Sequence, residues 1–216
     1  AWMDEGMAYF LPWDLQIELS EFDHRTRAAV GFSKWAGNEM DIPLIHPSIL
    51  NREPHLSMMS YYKPALAYEM LESALGEELF AKGLKEFITR WKGKHPTPWD
   101  FFYTFEDVAK KDLNWFWNPW FFESHIPDLA IKDLKVENGK TKVRIENVGN
   151  LPVPIDLTLT LEDDSQVKLK ESTAIWENGN KEVWLDVETK AKAKIVELLN
   201  KNIPDSDASN NKLEVN

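Results

Sequence analysis

The sequence predicts an α+β protein, helical over residues 1–126 and folded into a small antiparallel β-sandwich over residues 127–203, with a polar tail at 204–216. Two observations lead to this prediction. Apolar residues recur at helical spacing as far as Ser124, and from Pro127 they alternate with polar residues as in half-buried strands. Dipeptides typical of turns separate the strand-like segments. The tail is expected to be mobile, because it carries few apolar residues.

Six helical patterns occupy the first part of the chain. Pro12 is expected to end or kink the first helix, and Gly76 to end the third. The segment Thr97-Pro98-Trp99-Asp100 combines an N-cap, a proline at the first helical position and an acidic residue that completes a capping box. Residues 20–56 are otherwise irregular, as is common in functional loops. The predicted helices are 2–11, 24–36, 61–75, 77–91, 97–111 and 112–124, the last of them apolar nearly all round and therefore buried.

Short strands with period-two alternation follow Pro127 and predict the sandwich. The clearest of them is 155–161, in which Ile and Leu alternate with polar residues. The predicted strands are 129–131, 143–145, 155–161, 167–169, 183–185 and 195–198, with turns at Asn138-Gly139, Gly149-Asn150, Asp163-Asp164 and Asn178-Gly179.

Composition and charge exclude several classes of function. The net charge of −11 argues against a nucleic-acid binder and against attachment to anionic membranes, since both need clustered basic residues. The absence of cysteine excludes disulfides, thiolate zinc sites and cysteine catalysis. No run approaches the roughly 18 apolar residues of a membrane span, and no signal peptide opens the chain.

The first chemical motif is Trp2-Met3-Asp4-Glu5-Gly6-Met7-Ala8. It resembles the helix that provides the third zinc ligand in the aminopeptidase-N and leukotriene-hydrolase (gluzincin) family of zinc aminopeptidases. The resemblance implies that Glu5 is a metal ligand. A carboxylate suits this role, because it adds negative charge to two neutral imidazoles and leaves a position open for water. The alternative is structural, since an acidic residue in a first helical turn interacts favourably with the helix dipole.

The second motif is Tyr61-Tyr62-Lys63-Pro64-Ala65, which resembles the family's Tyr-Glu-Lys-Gly-Ala. The family's first tyrosine of this motif points at the zinc-bound oxyanion, so the resemblance implies that Tyr61 is catalytic. A phenol stays neutral near pH 7 and can donate a hydrogen bond to a developing negative charge. Tyr62 departs from the family's Glu. The alternative is that both tyrosines are packing residues at a helix start.

Further matches occur in the family's order along the chain. Together with the two motifs above they span residues 2 to about 128, and more loosely the β-module. They are Leu75-Gly76-Glu77-Glu78-Leu79-Phe80, then 94–102 with Glu106-Asp107, then Asp112-Leu113-Asn114-Trp115-Phe116-Trp117, and then Trp120. The resemblance implies the α-helical C-terminal part of a thermolysin-like catalytic domain, followed by a β-sandwich.

Two family elements have no counterpart in the chain. None of the five histidines lies in a His-Glu-x-x-His motif, which in the family holds the other two zinc ligands and the general base, and no Gly-x-Met-Glu-Asn segment is present. We therefore expect a fragment of a Zn²⁺ aminopeptidase, whose partners are a peptide substrate and an upstream part of the same chain. The isolated 216 residues are expected to bind zinc weakly and to hydrolyse nothing. The substrate-binding residues are unknown from the sequence.

Two hypotheses from other classes of function stay open. One is a non-catalytic interaction module of helices and β-sandwich, disfavoured because Trp2, Met3 and Met7 would lack preceding structure to pack against. The other is an inactivated peptidase relative kept as a scaffold. The upstream coding sequence would separate all three readings. The motif variants favour an exported or periplasmic location over a cytoplasmic one.

Three further features have structural interpretations. Residues 205–210 begin like a calcium loop but lack its glycine and its final glutamate, so a solvated segment is expected. The aromatic run 115–122 has helical spacing, which predicts core packing and argues against a sugar-binding platform. His95 lies among prolines and is expected in a loop.

Overall fold

Helices and two antiparallel sheets make up the molecule, which confirms the predicted α+β class. The structure is a computed structural model and describes residues 1–20, 22–39, 41–137 and 140–215. The predicted division at residues 126 and 203 stays a prediction. No helix in this described part of the chain is both long and apolar enough to span a membrane.

The helices follow the predicted pattern with three differences. A second helix follows Pro12, whose carbonyl accepts the first hydrogen bond of that helix from Gln16. The helix expected to begin at residue 61 begins at His55. Three segments are π-helical turns. The elements are a π turn at Trp2–Gly6 with α1 Met7–Phe10, α2 Trp13–Ser20, α3 His24–Trp35, α4 His55–Ser57, a π turn at Met58–Tyr62, α5 Lys63–Leu75, α6 Glu77–Trp91, α7 Pro98–Ala109, α8 Asn114–Trp117 and a π turn at Asn118–Phe122.

Local sequence explains the helix ends. Gly76 separates α5 from α6 with a φ of 81°, which lies in the region open to glycine. At the start of α7 the backbone N–H of Thr97 donates to the Asp100 carboxylate at 2.8 Å, completing the predicted capping box. Lys110 ends that helix in the left-handed conformation, slightly before the predicted end.

Among the described residues, seven strands form a three-stranded sheet of order β1-β2-β5 and a four-stranded sheet of order β4-β3-β6-β7. Every pairing within them is antiparallel. The last strand was not predicted, because its segment reads as a polar tail, yet it pairs with β6. The Asn138-Gly139 turn lies outside the described residues. The strands are β1 Leu129–Glu137, β2 Lys140–Asn147, β3 Ile155–Leu161, β4 Gln166–Glu171, β5 Glu182–Glu188, β6 Ala193–Leu198 and β7 Lys212–Glu214.

Aromatic side chains fill the helical core. Trp2 is buried, with its ring centroid 4.8 Å from Phe121 and 5.8 Å from Phe102, and its carbonyl accepts the Tyr68 hydroxyl. Later helices therefore cover Trp2, and the burial of Trp2 does not depend on structure that precedes it. Within the aromatic run, the buried members are Phe116, Trp117, Trp120 and Phe121.

The helices and the sandwich meet at several places, of which two join backbone to the ends of the sandwich. At one, the Ile126 N–H donates to the Gly149 carbonyl at 3.1 Å. At the other, residues 204–206 return to α3: the Asp205 N–H donates to Ser33 Oγ at 2.8 Å, and Ser206 Oγ donates to the Ser33 carbonyl at 3.0 Å. The Leu129 N–H in turn donates to the Asp205 carboxylate. Residues 204–206 therefore bridge the two parts.

Replacing Gly149 by alanine is expected to destabilise the fold by about 3 kcal/mol, the upper end for overpacking. An added Cβ would overlap the carbonyl oxygen of Ile126, so backbone at the junction would have to move. Urea unfolding followed by circular dichroism measures the effect. The control is Gly31→Ala in α3, where the new Cβ would meet only ordinary contacts at 3.8 Å and helix propensity should stabilise slightly. Equal stability of the two variants would contradict the prediction.

Candidate functional site

Glu5 lies in the π-helical turn Trp2–Gly6, half-buried at the start of the chain. Its backbone N–H donates to the Ala1 carbonyl at 2.8 Å, so hydrogen bonding within the turn fixes its backbone. π-helical turns are rare and occur often at functional sites, where the extra residue redirects a side chain.

Tyr61 also lies in a π-helical turn, Met58–Tyr62, and is half-buried. This turn continues directly into α5, whose first residue is Lys63 and whose second is Pro64. Both candidate site residues thus occupy helical turns of the same unusual kind.

A glycine lets the two turns approach each other. A Cβ added at Gly6 would lie 2.7 Å from the Cβ of Pro64 and 3.3 Å from the Ser60 carbonyl oxygen, closer than real side chains pack. Gly6 is therefore needed for this close approach, which places its neighbour Glu5 beside the turn that carries Tyr61. The two motifs that the sequence singled out meet in the structure.

The Glu5 carboxylate affects the titration of the Tyr61 hydroxyl. A hydrogen bond to Glu5 raises the pKa of Tyr61, with desolvation and the negative charges of Glu5, Asp4 and Glu53 acting in the same direction. The phenol is therefore kept protonated and can donate. Both side chains sit on a partly exposed surface, outside the cavities at Asp205, Glu69, Tyr103 and Trp176.

Three further aromatic side chains surround this pair. The ring centroid of Tyr9, one helical turn after Glu5, lies 6.3 Å from that of Tyr61 and 5.3 Å from that of Tyr62. The Tyr9 hydroxyl forms a 3.2 Å hydrogen bond with His24 Nδ1. Burial, together with Tyr62, raises the pKa of Tyr9 to about 12. Sequence reasoning missed Tyr9 and His24; the i, i+4 spacing of Tyr9 from Glu5 is the signal that could have found the first.

A complete zinc site does not arise from this part of the chain. Within the described ranges, no three acidic or histidine side chains converge in a way that could hold a metal ion. His24 is bonded to Tyr9, the His55 ring packs against Trp35, and His125 pairs with Glu123. Glu5 fits one ligand position, and the remaining ligands would have to come from residues other than those described.

An ion pair lies buried beneath the Tyr61 turn and was also missed. Lys63 Nζ and Asp41 Oδ1 are 2.7 Å apart, and both side chains are 0% exposed. Burial lowers the pKa of Lys63, while Asp41 acts in the opposite direction. Lys63 belongs to the second motif, but its partner comes from the irregular segment 20–56, which offered no signal in the sequence.

A comparison of sequence families decides the relationship. The description "Peptidase family M1 domain" matches residues 1–120, more than half of the chain. The chain belongs to peptidase family M1. The resemblance to the aminopeptidases is thereby confirmed at the level of the family.

Individual relatives agree with the M1 assignment. The chain is 25% identical over 199 residues to alanine/arginine aminopeptidase of Saccharomyces cerevisiae, covering 84% of this chain and 23% of the relative. It is 30% identical over 95 residues to aminopeptidase N of Escherichia coli, covering 42% and 11%, and 32% identical over 103 residues to aminopeptidase N of Haemophilus influenzae, covering 46% and 12%. The chain thus spans less than a quarter of the length of these relatives.

A solved structure has the same fold. The crystal structure of Legionella pneumophila aminopeptidase A in complex with aspartic acid superposes with a TM-score of 0.61 at 19% identity, over 93% of this chain and 23% of that chain. At 19% identity the likeness concerns the fold of the M1 segment alone, in which the helices precede the β-sandwich along the chain.

A half-buried carboxylate lies between the helices and the sandwich of this M1 chain. Glu69 lines a cavity of about 400 Å³ that also contacts Asp156 and Lys170. Arg25 approaches Glu69 Oε1 at 2.5 Å, while the buried Oε2 has no hydrogen-bond partner among the described residues. Burial raises the pKa of Glu69 to about 7, although Arg25 opposes the shift.

Glu69 is expected to make stability depend on pH. Because its pKa rises from 4.5 to about 7 on folding, the folded state binds more protons at Glu69 between these values. Its contribution to stability is therefore fully present below pH 4.5 and is lost as pH rises through 7, by about 3 kcal/mol in all. Relative to wild type, Glu69→Gln should become more stable over the same interval. Urea unfolding at several pH values checks this, with the exposed Glu78→Gln as control; parallel pH curves for wild type and Glu69→Gln would refute it.

Proposed function

We propose that this chain supplies one metal ligand, Glu5, and the oxyanion-stabilising residue, Tyr61, of a zinc aminopeptidase. The proposal is supported by one observation above the others: two motifs far apart in sequence lie in adjoining π turns, where Gly6 packs against Pro64, and this brings the Glu5 carboxylate near the Tyr61 phenol. Packing alone would not require both side chains to remain polar and partly exposed. Membership of peptidase family M1 also supports the proposed role in an aminopeptidase.

The two residues would have different tasks. The Glu5 carboxylate would bind the metal together with ligands from outside the described residues; when bound, zinc supplies an activated water for attack on a peptide carbonyl. Tyr61 would donate a hydrogen bond to the oxygen that becomes negative in the tetrahedral intermediate. Glu5 and Tyr61 lie in adjoining turns, so the phenol would be close to a metal ion held by Glu5.

The 216-residue chain alone is proposed to bind zinc weakly and to be inactive. A single carboxylate is a poor site for a cation that normally takes three protein ligands in catalytic centres. The substrate is a peptide with a free N-terminus, as the names of the relatives suggest for those proteins.

Zinc analysis of the full-length protein that carries this segment tests the proposal. Glu5→Gln is expected to lower zinc affinity by at least about 100-fold, the loss seen when mere outer-shell partners of a metal are removed. Elemental analysis after dialysis gives the zinc content per chain, and hydrolysis of an aminoacyl anilide gives the activity.

Asp4→Asn is the matched control, because Asp4 is acidic, exposed and in the same helical turn. If Glu5 served only the helix dipole, both substitutions would act alike, by a small loss of stability and no loss of zinc. Full zinc occupancy in Glu5→Gln would remove the basis of the proposal and favour a scaffold role.

A further inference from the structure

The buried ion pair of Lys63 and Asp41 lies directly behind the turn that carries Tyr61. Lys63 is two residues beyond Tyr61 and is the first residue of α5. Its side chain is fully buried, and its ammonium lies 2.7 Å from Asp41 Oδ1. The same ammonium is 3.4 Å from the Ile42 carbonyl oxygen and 5.4 Å from the centroid of the Phe32 ring. Lys63 therefore holds one end of the Tyr61 turn from inside the protein.

Asp41 is fixed in turn by two other segments. Its second carboxylate oxygen accepts the Gly37 N–H at 3.1 Å, at the end of α3. Its backbone carbonyl accepts the Ser124 hydroxyl at 2.8 Å, just after the π turn Asn118–Phe122. The pair thus ties the Tyr61 turn to the segment after α3 and to the last helical segment at once.

Stability alone does not account for this arrangement. Taking two charges out of water costs free energy that their attraction barely repays, and apolar residues of similar volume often stabilise a core as well or better. The surroundings are suited to such residues, because Phe32, Leu44 and Ala65 are buried nearby in the same core. Apolar residues would not fix the orientation of the Lys63 side chain. An ion pair does fix it, because its hydrogen bonds form in only one geometry.

The orientation of Lys63 about the helix axis matters because a π turn, which carries one more residue per turn than an α-helix, precedes it. If the turn relaxed to α-helical geometry, residues before Lys63 would rotate by about 100° relative to those after it. Tyr61 would then leave Glu5. The ion pair of Lys63 keeps its geometry at only one orientation of the helix about its axis, and it therefore opposes this relaxation.

We propose that the Lys63–Asp41 pair is a positioning device, which holds the turn of Tyr61 against the turn of Glu5 and thereby directs the phenol toward the reacting oxygen. This inference rests on the proposed function. Neither charged group touches Glu5 or the tyrosine hydroxyl in the contacts of the structure, so both act through the backbone of the turn.

The test exchanges the pair for apolar residues of similar size in the full-length protein, as Lys63→Met/Asp41→Leu. The expected result is a kcat lowered by about 10- to 100-fold with KM within about threefold, since misplacement of a catalytic group by about 1 Å costs rate and not substrate binding. The urea midpoint should stay close to that of wild type. The matched control is Lys111→Met/Glu177→Gln, which removes a part-exposed ion pair remote from Tyr61 and should leave kcat unchanged.

A spectroscopic measurement on the 216-residue chain gives a second readout without activity. With 3-fluorotyrosine at position 61, Glu5→Gln should shift the fluorine resonance, because the negative charge of Glu5 acts on the phenol from the adjoining turn. In the Lys63→Met/Asp41→Leu background the same substitution should no longer shift it. An undiminished shift in that background would overturn the positioning role.

The outcomes separate this inference from the proposed function. If Tyr61→Phe leaves kcat unchanged, the proposed function fails; if Tyr61→Phe lowers kcat while the apolar pair retains full rate, only the positioning role fails. Should the apolar pair not fold, Ser124→Ala decides, since it releases the segment that carries Asp41 while both charges stay. A several-fold loss of kcat at constant KM is expected from Ser124→Ala, and an unchanged kcat would refute the inference.

Discussion

Replacing Tyr61 by phenylalanine in the full-length protein is expected to lower kcat by a factor of about 10² to 10³ and to leave KM nearly unchanged. The substitution removes only the hydroxyl, so the ring keeps its contact with Tyr9. A hydrogen bond made to the developing oxyanion stabilises the transition state and not the ground state, which is why the loss should fall on kcat. Steady-state kinetics with an aminoacyl anilide, together with zinc analysis, measure the effect.

Tyr62→Phe is the control for this experiment. Tyr62 is the adjacent tyrosine of the same π turn and is half-buried, and its ring also packs against Tyr9. It should change kcat by less than about threefold, because it makes no transition-state contact in the proposed arrangement. Equal losses from the two substitutions would mean that the turn is merely sensitive to packing, and the catalytic role of Tyr61 would be withdrawn.

Removing one partner of the buried ion pair is expected to destabilise the chain by about 3 to 5 kcal/mol. Asp41→Ala leaves the Lys63 ammonium without its carboxylate at a position that is 0% exposed, and Lys63→Met does the same to Asp41. The cost arises from an uncompensated charge in the interior, so it should be much larger than the cost of losing an ion pair at the surface. Urea unfolding near neutral pH measures both variants.

The double variant provides the comparison. Lys63→Met/Asp41→Leu should recover most of the stability lost by either single change, since no charge remains buried. The single substitutions would then be strongly non-additive. If each cost less than about 1 kcal/mol, or if the double variant were as unstable as their sum, the desolvation argument would be incorrect.

The sequence predicts correctly those elements whose signals lie within a few residues of one another. Gly76, the Thr97–Asp100 capping box and the alternation in β3 each act within a few residues, and the structure shows all three as expected. Two elements escaped because tertiary contacts create them. Helix α2 follows a proline in a segment with weak periodicity, and β7 is a short polar strand that exists because β6 offers it an edge.

The candidate site was predictable only in part. The resemblance to the family pointed to Glu5 and Tyr61, and their roles stay predictions; the structure shows that the turns that carry them adjoin at Gly6 and Pro64. Two contacts that shape this surface could not be read from the sequence. The packing of Gly6 on Pro64 and the burial of Lys63 against Asp41 join residues more than twenty positions apart. The sequence also does not indicate whether a given lysine is buried, since most lysines are exposed.

The bridge formed by residues 204–206 bears on how this segment can be produced as a separate polypeptide. A recombinant piece that stopped at residue 203 would contain every predicted strand, yet it would lack Asp205 and Ser206 and with them the hydrogen bonds to Ser33 and Leu129. Its sheets would keep other connections to the helices, among them the Trp120 indole N–H donated to the Pro152 carbonyl and the Thr173 N–H donated to Ser73 Oγ, but they would lose the connection to α3 at Ser33. Expression boundaries are therefore better placed beyond β7 than at the end of the apolar pattern.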